Sequence, residues 1–336
     1  LNVSVKTNKT LPLLDAGHEV ATEQFKLQVK LSESKKIRVD GPMHIYQLDP
    51  RQSVVISGEN FVVRFNQKTG ELTGYQYKGK ELVRSPLRAN FWRAPNDNDY
   101  GGQWHDKRRV WKYASERQFK QQFSVEKQDN NTVLVRSQFN LPDVEGTLSI
   151  DYLIDAGGQV EVNYKLNLSE KATPEIPRVG MTMELFKSFD QLTYFGRGPH
   201  ENYRDRNSSA HVGLYTSSVA EQYHPYVRAQ ESGYKTQVRW AKLTDKEGIG
   251  LSIKGAPHFG MSALHYRIAD LDSGRTREGL HSGELTPRPL VNLNIDYGQM
   301  GVGGVQSWGA TALEQYLLTD KEYHYSFSLA GVDDRE

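Results

Sequence analysis

Apolar and polar residues alternate with a period of two along much of this chain. Val160, Val162, Tyr164, Leu166 and Leu168 are separated by Glu161, Asn163, Lys165 and Asn167. Leu148, Ile150, Tyr152 and Ile154 are broken by Ser149, Asp151 and Asp155, and Phe25, Leu27 and Val29 alternate with Lys26, Gln28 and Lys30. The chain opens in the same way, with Leu1, Val3 and Val5 on one face. A period of two predicts antiparallel strands with one wet face. Turn residues separate the runs. Residues 61–65, the turn Gln67-Lys68-Thr69-Gly70 and residues 72–77 predict a hairpin, and Asp155-Ala156-Gly157-Gly158 predicts another turn. Helical spacing is confined to short stretches at 107–119, 262–271 and 312–318. Without sustained helix–strand alternation, a doubly wound or barrel α/β fold is excluded. The expected class is all-β, dominated by a large antiparallel β-sandwich.

A polar stretch over 32–36 and a second over 49–53 predict one boundary between them. Residues 1–45 read as the tail of one β-sandwich and residues 46–336 as a large β-domain. A start at Leu1, inside an alternating run and without methionine, reads as a piece cut from something larger.

Composition narrows the function classes. Lys and Arg number 42 against 41 Asp and Glu, a net charge of +1, which offers no field for nucleic acid or an anionic membrane. No apolar run approaches the roughly 20 residues that span a bilayer. Cysteine is absent, which removes disulfides, thiolate metal sites and a cysteine nucleophile. The absence of cysteine names no compartment.

Polar chemistry is concentrated in two runs. Residues 90–99 read Asn-Phe-Trp-Arg-Ala-Pro-Asn-Asp-Asn-Asp, and residues 196–206 read Gly-Arg-Gly-Pro-His-Glu-Asn-Tyr-Arg-Asp-Arg. Such density requires a buried polar network or a polar ligand, because unpaired buried polar groups are costly. Asp97 and Asp99 with Asn96 and Asn98 loosely resemble a calcium loop, but the glycine and distal glutamate of an EF-hand are missing, so a self-satisfied tight loop is the expectation. Gly301-Val302-Gly303-Gly304 lacks the Lys-Ser/Thr of a phosphate cradle and reads as a bend. The histidines fall into no ligand spacing. Glu201 and Glu231 could be proposed as the carboxylate pair of a glycosidase. The favoured reading pins each to an arginine such as Arg197, Arg204, Arg206 or Arg228, which keeps it ionised. Aromatic side chains beside polar ones, such as Trp92/Arg93, Tyr203/Arg204 and Trp308, fit sugar recognition.

The two runs resemble the C-terminal small-chain domain of bacterial family 2 β-galactosidases. Residues 90–99 look like that family's NFWRAPTDND run, with Asn96 for the usual Thr, and residues 196–206 are similar to GxGPxENYxDR. Ile176-Pro177-Arg178-Val179-Gly180 matches LPRxG, residues 226–233 match PYVxPQExG with Ala229 for proline, and residues 296–308 match DxxxMGxGGxxSW. Residues 17–25 look like the end of the immunoglobulin-like domain that precedes the small chain. The resemblance implies a galactose-mutarotase-like supersandwich. It places the acid/base and nucleophile glutamates of a retaining enzyme in an upstream TIM barrel that this sequence lacks, so the chain alone is expected not to hydrolyse galactosides. It implies no cofactor in this chain, with Mg and Na sites belonging to the barrel. It implies that barrel as a partner, a galactoside substrate and a homo-oligomeric parent. A tryptophan that lines the pocket in the best-studied members aligns with Asn292, before Leu293-Asn294-Ile295-Asp296. The expected site is a pocket rim or concave face built from Arg93, Asp97, His200, Glu201, Tyr203, Glu231, Asn292 and Trp308. A stand-alone carbohydrate-binding or mutarotase-like module is the alternative, and a structural lattice explains many of the same residues.

Overall fold

A computed structural model of the protein describes residues 1–27, 41–49, 53–171, 175–272, 274, 281–306 and 308–335. The chain divides into two compact units, Leu1–Arg38 and Val39–Glu336.

In the first unit, strands Asn2–Lys6 and Glu19–Gln24 pair antiparallel, with Val3 opposite Glu23 and Val5 opposite Ala21. Leu1, Val3, Val5 and Phe25 stay exposed. The strand expected over 25–29 is not formed in its described part. The strand ends at Gln24, after which the Phe25 amide donates to the Leu1 carbonyl at 2.8 Å and the Leu1 ammonium donates back to the Phe25 carbonyl at 2.9 Å. Val29 lies outside the described residues.

The second unit is all-β, built on one large antiparallel sheet that curls around a continuous core. Residues 44 and 45, assigned from the sequence to the first domain, pair within this unit, because His44–Asp49 pairs with Ser53–Ser57. The alternating runs behave as expected. In Val160–Leu168, Val160, Val162, Tyr164 and Leu166 are buried, while Asn163 and Lys165 face the other side. The first predicted hairpin joins Phe61–Asn66 to Leu72–Tyr77. Its turn closes because the Asn66 carboxamide oxygen accepts the Lys68 and Thr69 amides and Gly70 takes φ +76°. Asp155 caps the second turn in the same manner, accepting the Gly157 and Gln159 amides.

The strand Arg178–Phe186 lies between Val83–Asn90 and Leu290–Gln299. The long strand Ile249–Leu264 pairs first with Glu322–Asp333 and then with Leu290–Gln299. Here a helix expectation fails. Residues 262–264 belong to this strand, with Ser262 opposite Asn294 and Leu264 opposite Asn292, and only Ile268–Leu271 forms a helical turn. Ladder hydrogen bonds and burial override local spacing. The stretch 312–318 holds only a 3₁₀ turn, Glu314–Tyr316. The helix expected over 107–119 is real but shorter, Arg109–Glu116, preceded by short turns at Asp97–Gly101 and Trp104–Lys107. Among the described residues no helix is long and apolar enough to cross a membrane.

Candidate functional site

The chain leaves the sheet at Asn90, whose side chain accepts the Trp92 amide and donates to the Trp92 carbonyl. Arg93 is thereby turned inward and is 2% exposed. Its Nη1 donates to the Met300 carbonyl at 3.0 Å, and its Nη2 donates to the Gly301 carbonyl at 3.2 Å and to Asp99 Oδ2 at 3.1 Å. Asp99 also accepts the Asn96 amide, while Asn96 Oδ1 accepts the Asp99 amide, a reciprocal box that starts the Asp97–Gly101 turn. The acidic loop therefore satisfies itself and Arg93. Among the described residues no cluster of three His, Cys, Asp or Glu could hold a metal ion.

The second run converges on the same place. Asp205 accepts the Val302 amide at 3.0 Å and the Gly303 amide at 2.9 Å. The glycine bend does cradle an anion, and that anion is the protein's own carboxylate. Asn96 and Asn98 both donate to the Val302 carbonyl. Trp104 Nε1 donates to the Gly309 carbonyl, and Arg108 donates to Thr311. Both polar runs thus hold the loop over 300–312. Trp308 projects from that loop 87% exposed, with Val305 also exposed.

Glu201 and Glu231 have separate environments. Glu201 accepts from Arg206 at 2.6 Å, from the Gly233 amide at 2.8 Å and from the Tyr226 hydroxyl. Tyr203 is buried, stacks on Tyr234 at 5.7 Å, and its hydroxyl lies 3.5 Å from Glu201. Arg206 was among the arginines expected to pin Glu201. Glu231 is held by Arg178 at 3.3 Å and by Gln299 Nε2 at 2.9 Å, and Arg178 was not on that list. Arg178 Nε also lies 3.3 Å from Asp296. Arg178 and Asp296 are fully buried, and both Asp296 oxygens lack an aligned donor. Burial pushes the Asp296 carboxyl up to about 7 against the pull of Arg178. Burial raises Glu231 as well, against Arg178 and Gln299, so an arginine alone does not hold a carboxylate in its usual range here. Lys235 is buried too. Its Nζ donates to the Gly233 carbonyl at 3.2 Å, and burial lowers it to about 8.

Arg93, Glu201, Tyr203 and Glu231 therefore belong to one buried lattice, linked through Gln299 and the stretch 226–234. Asp97 lies at its exposed edge, bonded to Gln230 at 3.0 Å. His200 stands outside, exposed, with Nε2 3.1 Å from Ser209 Oγ. Asn292 lies elsewhere. It shares a strand face with Asp296 but sits about 13 Å along the strand. There it lines a cleft of about 340 Å³ with Glu71, Ser85, Arg88, Thr182 and Glu184. Asn292 Nδ2 donates to Thr182 at 3.2 Å, and Glu184 is fixed by Ser85 at 2.6 Å and Arg267 at 2.5 Å. Arg178, Asp205 and Asp296 were not singled out, although each stands within a matched motif. A charge set among apolar strand residues, as in Pro177-Arg178-Val179 or Ile295-Asp296, was the available signal.

A family model described as the β-galactosidase small chain matches residues 57–329. A β-galactosidase of Priestia megaterium is 35% identical over 98% of this chain and 31% of its own length. One of Vibrio cholerae is 33% identical over 98% of this chain and 32% of its own. The chain thus spans about a third of the curated relatives it matches. Among solved structures, a galactose 1-epimerase from Lactobacillus acidophilus NCFM aligns over 88% of this chain and 99% of its own, at 8% identity and TM-score 0.44.

Proposed function

This chain belongs to the β-galactosidase small-chain family, and we propose that it is the C-terminal part of a retaining family 2 β-galactosidase. In this reading the acid/base and nucleophile carboxylates lie in a barrel outside these residues. One observation carries it: Glu201, Glu231, Asp99 and Asp205 are all engaged in holding backbone and arginines, and two of them, Asp205 directly and Asp99 through Arg93, brace the loop that presents an exposed Trp308. Trp308 and Val305, left in solvent together on this braced loop, offer a contact surface rather than a reaction centre. The cleft beside Asn292, lined by fixed carboxylates, amides and hydroxyls, supports a role at the rim of a sugar pocket. The ribbon formed by Asn2–Lys6 and Glu19–Gln24 fits the end of an immunoglobulin-like sandwich, since an isolated two-stranded ribbon with an exposed apolar face is marginal without further strands.

Hydrolysis of a chromogenic β-galactoside by this chain, compared with the same chain extended upstream through the barrel, tests the reading. Turnover is expected only from the extended protein, and turnover by the 336 residues alone would overturn it. In the extended protein, Trp308→Ala is expected to lower kcat/KM at least tenfold without moving the unfolding midpoint of this domain.

A further inference from the structure

The wet face shared by the strands Gly146–Asp155, Val160–Leu168 and Glu322–Asp333 carries a groove of about 390 Å³. The pairing register explains it. Asp151 lies opposite Asn163, Asn163 opposite Ser326, and Ser326 opposite Ala256. In the next row Ser149 lies opposite Lys165, and Lys165 opposite His324. Neighbouring strands are about 4.8 Å apart, so the two rows form a grid of polar groups. The centre is shallow because Ser326 and Ala256 are short, and Pro257 follows where the strand turns away. Lys165 and His324 stand taller along one side.

The lining is partly pre-set. The Ser326 hydroxyl donates to Asn163 Oδ1 at 2.5 Å, and Asn163 Nδ2 donates to Glu161 at 3.3 Å. Asp151 Oδ2 faces Arg136 Nε at 3.7 Å, too far for a hydrogen bond. The volume lies within the range of small-molecule sites.

We propose that this groove binds a neutral polyhydroxylated ligand, a mono- or disaccharide. An anion would meet Asp151, a cation would meet Lys165, and an apolar partner would find only the Ala256 methyl in the two rows. A ligand with many hydroxyls and no charge can donate to Asp151 and accept from Lys165, His324 and the serines together, leaving none of them desolvated and unpaired. The site shares no residue with the Asn292 cleft or with the lattice around Arg93, so it stands or falls separately from the galactosidase reading.

The folded chain titrated with galactose, glucose and lactose, followed by saturation-transfer NMR, tests the proposal, with inorganic phosphate as the charged comparison. Millimolar binding of at least one sugar is expected. The double substitution Asp151→Ala/Asn163→Ala should weaken it at least tenfold. Ala256→Phe, which fills the floor while removing no hydrogen bond, should do the same, and circular dichroism melts should confirm that both variants fold. Absence of sugar binding at tens of millimolar would overturn the proposal, and so would binding that survives both variants. Loss of binding on Asn292→Ala but not on Asp151→Ala/Asn163→Ala would move the ligand to the other cleft and equally overturn it. Phosphate binding tighter than any sugar would replace the ligand class.

Discussion

Arg93 shows how one side chain can organise a region. Its guanidinium donates to two carbonyls and a carboxylate at once, a fan that a single ammonium cannot reproduce. Arg93→Ala leaves the buried Asp99 with only Arg108, 3.8 Å away and beyond hydrogen-bond reach, and is expected to lower stability by about 3–5 kcal/mol in urea unfolding. Arg93→Lys should recover only a minor part of that. Asp296 makes a different prediction. Its folded-state value near 7 lies above the ordinary 3.8, so the native state keeps a proton that the unfolded chain releases above about pH 4. Its contribution is therefore present at low pH and is lost as pH rises toward 7. Asp296→Asn removes this dependence. The stability of the native sequence relative to Asp296→Asn should fall by roughly 2 kcal/mol between pH 5 and pH 8, read from urea midpoints at both. A flat difference would show that the trio of Arg178, Glu231 and Asp296 shares its proton otherwise.

Among the elements, strands were more legible than helices. A strand such as Val160–Leu168 declares itself through alternation, because one face is dry and the other wet. The stretch 262–271 misled, because Ser262, Ala263 and Leu264 are buried on both faces of the sheet and carry no period of two. The loop over 300–312 was legible only as a bend. That its amides would close on Asp205, nearly a hundred residues earlier, is not a local property. Asp205→Ala is expected to cost about 2 kcal/mol and to unfasten this loop. Faster hydrogen exchange at Val302 and Gly303 and new proteolytic cleavage near Trp308 should appear before any change in the core strands.

For the whole molecule, the sequence carried the all-β class, the β-galactosidase small-chain family and the density of its two polar runs. Those features are written in the order of residues: alternation reports one-sided burial, and a motif is a string. Tertiary structure decided which charges meet. Glu231 pairs with Arg178 rather than with a neighbour in its own run, and Asp296 ends beside both. Asn292 lies apart from the lattice that its companions form. Burial, not sequence proximity, sets the cost of a charge, and only the closed sheet establishes which carboxylates are buried, which arginines reach them and which aromatic ring is left in water.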